Sequence, residues 1–396
     1  MSTYTPKIKP RNSAADTLPY RKKSKHWLTR LNAWLHLWPS IVSGIIVVLV
    51  CLTGTIIVYA DEIIDVMAGD AKYVEAQQHR VSSEAMIDAI AAKDTSLFLV
   101  ECLFYKDPDR STRFRAFNMK NRHLTFIYVN PYTAEVLKID DKAHFFYVTA
   151  HLHADLLAGM PGRITVIIAT IIFLISTITG LVLWWPKRWT RKTVKDSFTV
   201  KWAAKFKRLN YDLHNVYGFY SLILCFVLGF SGLMISFHSW MDFTVKLAGG
   251  ATHEEIEKYV PPHIEGKKAV DFVPLAYRVF EEFPNKPHII IWPYTIDKMG
   301  VYVFRAGVGG LKSIENMELS VFDKYTGEPI SVKKELVIHE KTENIVWQLH
   351  MGQWWGQLGK LSTFLAGIIA TSLPITGFII WWGKRKKKPK QRQVSS

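Results

Sequence analysis

Acidic side chains are scarce: 34 Asp and Glu stand against 50 Lys and Arg, a formal net charge of +16 over 396 residues. The excess is not spread evenly. Three stretches, 1–35, 186–213 and 383–396, hold 24 Lys and Arg against 3 acidic residues, more than the whole surplus, so the rest of the chain is net acidic. A nucleic-acid binder gathers its basic residues on one folded face. Here each basic block flanks an apolar run, the positive-inside pattern of membrane proteins, and no nucleic-acid partner is expected. Cysteine is also rare. Cys51, Cys102 and Cys225 form no CxxC or CxxCH, which argues against a covalent c-type haem and a Cys-type zinc site. The first 35 residues lack a short apolar core followed by a cleavage site, so no signal peptide is read. There is no P-loop, HExxH or GxSxG, and the glycine turn Gly307-Val308-Gly309-Gly310 lacks the strand-to-helix context of a nucleotide fold.

What is present is apolar and long. Residues 37–60, 164–185, 216–240 and 361–382 carry no Asp, Glu, Lys or Arg, and each is long enough to cross about 30 Å of hydrocarbon. Trp34, Trp38, Tyr59, Trp184, Trp185, Trp240, Trp381 and Trp382 cluster at their ends, as interfacial belts do. The expected fold is an α-helical integral membrane protein with four transmembrane helices, at 36–60, 151–185, 214–240 and 348–383 with their outer ends. The basic segments 1–35, 186–213 and 384–396 are expected in the cytoplasm, with the Lys-rich tail drawn to anionic membrane lipid. Segments 61–150 and 241–347 fall on the other side and read as two small α+β domains. Each opens with a helical pattern (81–92; 270–283). Short β-rich stretches follow, at 97–104, 114–119 and 124–129 and at 288–292, 301–305 and 318–322, separated by turn sequences.

The chain repeats itself. Arg30-Leu31-Asn32 and Leu35-His36 precede the first helix; Arg208-Leu209-Asn210 and Leu213-His214 precede the third. A glycine follows each His by 18 residues, Gly54 and Gly232. His153 is followed by Gly159, Gly162, Arg163, Gly180, Trp184 and Trp185; His350 is followed at the same offsets by Gly356, Gly359, Lys360, Gly377, Trp381 and Trp382. Phe114-Arg115-Ala116 matches Phe304-Arg305-Ala306. The halves run in the same orientation, so a tandem repeat about a pseudo-twofold axis along the membrane normal is expected.

That symmetry makes His36 and His214 partners at the cytoplasmic ends of helices 1 and 3. His153 and His350 become partners at the outer ends of helices 2 and 4. Two imidazoles facing across a twofold form a natural axial pair for a planar cofactor, and apolar helix walls suit a porphyrin. A single His at a helix end is ordinarily an interfacial residue. Four in two matched pairs, each beside glycines that let a flat ring approach the backbone, favour ligation of two haems, with haem iron held through His36, His214, His153 and His350. His238, at the outer end of helix 3, and His151, two residues before His153, compete as ligands; their repeat counterparts are Ala60 and Gln348. Arg163 and Lys360 after the outer pair, and Arg30 and Arg208 before the inner pair, are candidate partners for haem propionates. Topological charge already accounts for Arg30 and Arg208. The other eight histidines read as surface residues.

The motifs LHLWPS with TG (35–54), LHADLLAG with TGLVLWWPKRW (152–189), DLHNVYGFY (212–220) and LHMGQWWGQLGKL with TGFIIWW (349–382) together resemble the PepSY-associated transmembrane family. The resemblance runs from about residue 26 to 385. It implies a bacterial inner-membrane protein with two periplasmic PepSY-like domains, 128–137 and 321–330 matching their short terminal hairpin, and two b-type haems. Members include reductases of ferric siderophores, so the implied function is transmembrane electron transfer that reduces periplasmic Fe(III)-siderophore to release Fe(II), with no catalytic residues beyond the haems. Related proteins with a fused flavin-reductase portion have a built-in donor; here a separate one, a cytoplasmic reductase or a quinol, is expected. Two alternatives stand beside this. One is a haem relay to another periplasmic acceptor, such as a thiol, sulfoxide or quinone. The other is a non-redox PepSY sensor or protease regulator.

Overall fold

The computed structural model describes residues 27–258, 260–292 and 299–385. The basic ends 1–26 and 386–396, expected in the cytoplasm, and His26 lie outside the described residues. Among the described residues, four helical stretches are long and apolar enough to cross a membrane: Trp27–Ile57, Gly159–Trp184, Phe206–Ser236 and Gln353–Arg385. All four overrun the expected apolar limits at a charged end. A helix satisfies its own backbone, so nothing forces it to stop where the hydrocarbon does.

Among the described residues the α-helices are, in chain order, α1 (Trp27–Ile57), α2 (Ala60–Ala68), α3 (Ser83–Lys93), α4 (His144–Asp155), α5 (Gly159–Trp184), α6 (Arg191–Phe198), α7 (Phe206–Asp212), α8 (Gly218–Ser236), α9 (His238–Leu247), α10 (His253–Glu257), α11 (Phe272–Glu282), α12 (Lys334–Met351) and α13 (Gly356–Arg385). The third span is not uniform: a π-helical turn, Leu213–Tyr217, joins α7 to α8 and carries His214. Helix α1 packs on α5 and α13, and α8 packs on the same two. The four spans therefore form a ring in which α1 and α8 lie on one diagonal and α5 and α13 on the other.

Among the described residues, the chain between the first and second spans and between the third and fourth forms one seven-stranded antiparallel sheet in the order β4-β3-β2-β1-β5-β6-β7, with β1 Leu97–Tyr105, β2 Thr112–Asn118, β3 Leu124–Val129, β4 Val136–Asp140, β5 His288–Ile291, β6 Val301–Gly309 and β7 Ile314–Asp323. The segment 61–150 gives four strands and the segment 241–347 three. They join through β1 and β5, where Cys102 pairs with Ile291, Leu103 with Ile290 and Phe104 with Ile289. Side chains alternate across a strand. Phe104, Phe114, Ile289 and Phe304 thus enter one core with Met86 and Ile90 of α3 and Val279 and Phe280 of α11. Leu103 and Ile290 point the other way, toward Ile314 and Met317. On that side Phe126 and Tyr128 pack on Ile64 of α2 and Phe146 of α4. The three cysteines are free.

Candidate functional site

The four repeated histidines come together as two pairs. The rings of His36 and His214 lie with centroids 6.3 Å apart at 74°, and those of His153 and His350 lie 5.9 Å apart at 54°. All four are half-buried. His36 and His214 reach across the α1–α8 diagonal. His153 and His350 sit near the C-terminal ends of α4 and α12, the helices that lead into α5 and α13.

Each ring is seated by a neighbouring span. The Nδ1–H of His36 donates to the Ser176 carbonyl at 3.0 Å, that of His153 to the Val50 carbonyl at 2.8 Å, and that of His350 to the Leu228 carbonyl at 3.1 Å. His214 Nδ1 lies 2.9 Å from Thr376 Oγ1, which itself donates to the Ser372 carbonyl and so accepts from the ring. A carbonyl only accepts, which fixes Nδ1 as the protonated nitrogen and leaves the Nε2 lone pair available. Ser176, Val50 and Leu228 stand four residues before Gly180, Gly54 and Gly232, and these glycines touch the same rings. A Cβ on Gly54 meets His153 Cε1 at 2.8 Å, on Gly180 His36 at 3.1 Å, on Gly232 His350 at 3.0 Å and on Gly377 His214 at 3.2 Å. The outer-layer seat Gly54 is 18 residues along α1 from the inner-layer His36, about 27 Å at 1.5 Å per residue.

These residues fit a haem on each pair. An imidazole nitrogen binds a first-row metal at about 2 Å, and its ring centre lies about 1 Å beyond, so two axial rings on one metal have centroids about 6 Å apart. Both pairs meet that spacing. Metal-bound histidines almost always donate their second nitrogen to a carbonyl, carboxylate or water; three of these rings donate to a carbonyl and His214 to a hydroxyl.

The other expected residues fall elsewhere. His151 Nδ1 pairs with Asp155 at 3.0 Å. His238 begins α9 and its ring lies 5.6 Å from that of His253. Arg163 Nη2 donates to the Ser236 carbonyl at the end of α8, at 2.6 Å. Lys360 is buried against Glu62 at 2.7 Å and Asp61 at 3.8 Å. Burial pushes the Asp61 carboxyl up, against the opposing pull of Lys360 and Arg113. Arg208 pairs with Asp212 at 2.8 Å, and Arg30 is exposed. The glycines after His153 and His350 are turn-makers: Gly159 and Gly356 have φ of +59° and +54°, and Gly162 and Gly359 pack on the Asp155 and Gly352 carbonyls. Among the remaining histidines, His339 is 3% exposed, not the surface residue expected from its polar surroundings. Sequence reasoning also passed over Asn32 and Asn210, four residues before each inner His. Their amides donate to the Thr179 and Thr376 carbonyls at 3.2 and 3.1 Å, and their repetition was the available signal.

A ring of four apolar spans, with histidines paired in two layers between them, defines a multi-pass membrane protein. The family model for the PepSY-associated TM region matches residues 33–384, and the chain belongs to that family. A comparison with curated proteins gives no match.

Proposed function

We propose that this protein carries electrons across a bacterial inner membrane and reduces Fe(III)-siderophore on the periplasmic side, releasing Fe(II). The observation that carries the reading is the two-layer set of facing histidines, each with Nδ1 committed to a helix hydrogen bond and Nε2 left for a metal. His36 with His214, and His153 with His350, would each hold a b-type haem. Bis-imidazole haem iron exchanges one electron between Fe(III) and Fe(II). The chain's own residues do the rest. Ser176, Val50, Leu228 and Thr376 orient the rings and raise their basicity. The glycines let ring and backbone approach, and the apolar walls keep water out.

The duplicated sequence supports two like halves about a pseudo-twofold. In that arrangement β1 and β5 are equivalent strands meeting at the axis, and the two PepSY-like segments close into one sheet. The basic segments support cytoplasmic termini and periplasmic outer segments. One electron per Fe(III) comes from a separate cytoplasmic reductase or a quinol. Oxygen-ligand siderophores hold Fe(II) far less well than Fe(III), so the single reduction frees the metal.

The test is the absorption spectrum of detergent-purified protein, oxidised and dithionite-reduced, with haem counted per chain, followed by stopped-flow reoxidation with a ferric hydroxamate. About two low-spin haems per chain that are reoxidised by the ferric siderophore agree with the proposal. A colourless protein from haem-supplied cells refutes the electron-transfer reading and leaves the sensor alternative. Haems that the siderophore does not reoxidise refute the substrate alone.

A further inference from the structure

A second group of histidines lies apart from both pairs, between the third and fourth spans. His253, His339 and Glu343 each offer one ligand atom, all within 4.8 Å of one another. His339 and Glu343 are four residues apart on α12 and so share a helix face. His253 opens α10, held there by the capping box of Thr252 and Glu255. His253 Nε2 stands 2.9 Å from Glu343 Oε1, and His339 Nε2 stands 3.6 Å from Glu343 Oε2.

The outward nitrogens are already committed. His339 Nδ1 donates to the Ala251 carbonyl at 2.7 Å, which aims its Nε2 at Glu343. His253 Nδ1 faces Asp242 Oδ1 at 2.8 Å. A carboxylate or carbonyl behind each ligating imidazole is the usual outer arrangement of a metal-bound histidine. His339 is buried, while the side chains of His253 and Glu343 are 42% and 30% exposed, so an ion can enter from solvent. The duplicated frame does not require this group. Counting back from His153 as His339 and Glu343 count back from His350 gives Lys142 and Phe146.

We infer that His253, His339 and Glu343 bind one divalent first-row transition ion, with Asp242 and Ala251 orienting the two imidazoles and His238 bordering the open side. Two imidazoles and a carboxylate with free positions suit Zn2+ or Fe2+. The competing use of the same residues is an ion-free network in which His253 donates to Asp242 and Glu343 and His339 donates to Ala251 and Glu343. The inference does not rest on the haem reading, because haem and the extra ion are counted separately.

The experiment uses the tag-free full chain in detergent, stripped with chelator and titrated with Zn2+, and with Fe2+ under anaerobic conditions. Bound metal is measured by mass spectrometry and haem by its absorbance. Expected is one extra ion per chain, with Zn2+ held more tightly than Fe2+. His253→Ala and Glu343→Gln, at partly exposed positions, should each weaken Zn2+ binding at least tenfold, and Asp242→Asn roughly ten- to a hundredfold, all with haem content unchanged. Wild-type protein that takes up no extra Zn2+ overturns the site in favour of the ion-free network. Uptake that persists undiminished in a His253→Ala, Glu343→Gln double variant overturns the ligand assignment.

Discussion

Adding one methyl group at Gly54 should disturb the outer histidine pair and leave the inner one alone, although Gly54 shares its helix with the inner His36. The added Cβ sits 2.8 Å from Cε1 and 3.0 Å from Nδ1 of His153. Carbon atoms in contact settle at about 3.5–4.0 Å, so the ring must retreat by roughly 1 Å. The same retreat stretches the 2.8 Å bond from Nδ1 to the Val50 carbonyl past useful length. Overpacking of this kind costs about 1–3 kcal/mol, or about 5- to 150-fold in haem retention at 1.4 kcal/mol per tenfold. Helix propensity works the other way, favouring Ala over Gly by about 1 kcal/mol, so a loss cannot come from the helix itself. Gly44→Ala is the control on the same helix, since its Cβ meets Pro374 at an ordinary 3.6 Å. The assay is haem per chain by pyridine haemochrome, with the low-spin signals of the oxidised protein resolved by electron paramagnetic resonance. Gly54→Ala should lose or shift one signal, Gly180→Ala the other, and Gly44→Ala neither. Unchanged haem and spectra in Gly54→Ala, or loss of the signal that His36→Ala removes, would refute the seating argument.

Alanine at His36 or His214 should remove one haem per chain, and alanine at His153 or His350 the other, read from the same spectra. Thr376→Val deletes the acceptor for His214 Nδ1 and should raise the midpoint potential of the inner haem by about 20–60 mV, the equivalent of one hydrogen bond, in a redox titration. Burial, with Arg113 and Arg110 nearby, holds the His288 imidazole down to about 4, where its Nδ1 accepts from the Gly309 amide. The unfolded chain therefore takes up this proton first. The contribution is whole above about pH 6.5 and is lost as pH falls toward 4, so His288→Gln should flatten the pH dependence of thermal unfolding in that window. Phe104→Ala, in the core shared by α3 and α11, should cost about 3–5 kcal/mol. It should lower the melting of both outer segments in a single transition, as hydrogen exchange would register.

Most of the fold was legible because its signals are local. The four spans follow from uncharged apolar runs. Six of the seven strands were found within a few residues of their ends, because β-rich stretches stand between turn sequences. Helices α4 and α12 were not found. Their apolar and polar residues face a sheet on one side and spans on the other, which blurs a single-face pattern; α4 buries only Phe146 and Thr149. The merger of the two outer segments was equally hidden. Pairing of Leu103 with Ile290 joins strands nearly half the chain apart, and nothing in either strand's alternation names its partner.

The site shows the same division at finer scale. Repetition identified the four histidines and their glycines, because repeats expose positions that matter in both halves. It did not say which ring each glycine meets. Gly54 follows His36 by 18 residues, yet it seats His153, because the order of helices around the ring decides which face meets which. Small residues allow close approach between spans where lipid offers no hydrophobic drive to associate. That choice links the layers. Helix α1 supplies His36 to the inner pair and, through Val50 and Gly54, holds His153 of the outer pair; α8 holds His350 through Leu228 and Gly232, in the span whose inner end carries His214. A slide of α1 against α5 therefore disturbs both pairs at once, which ties the geometry of one layer to that of the other through the rigidity of a single helix.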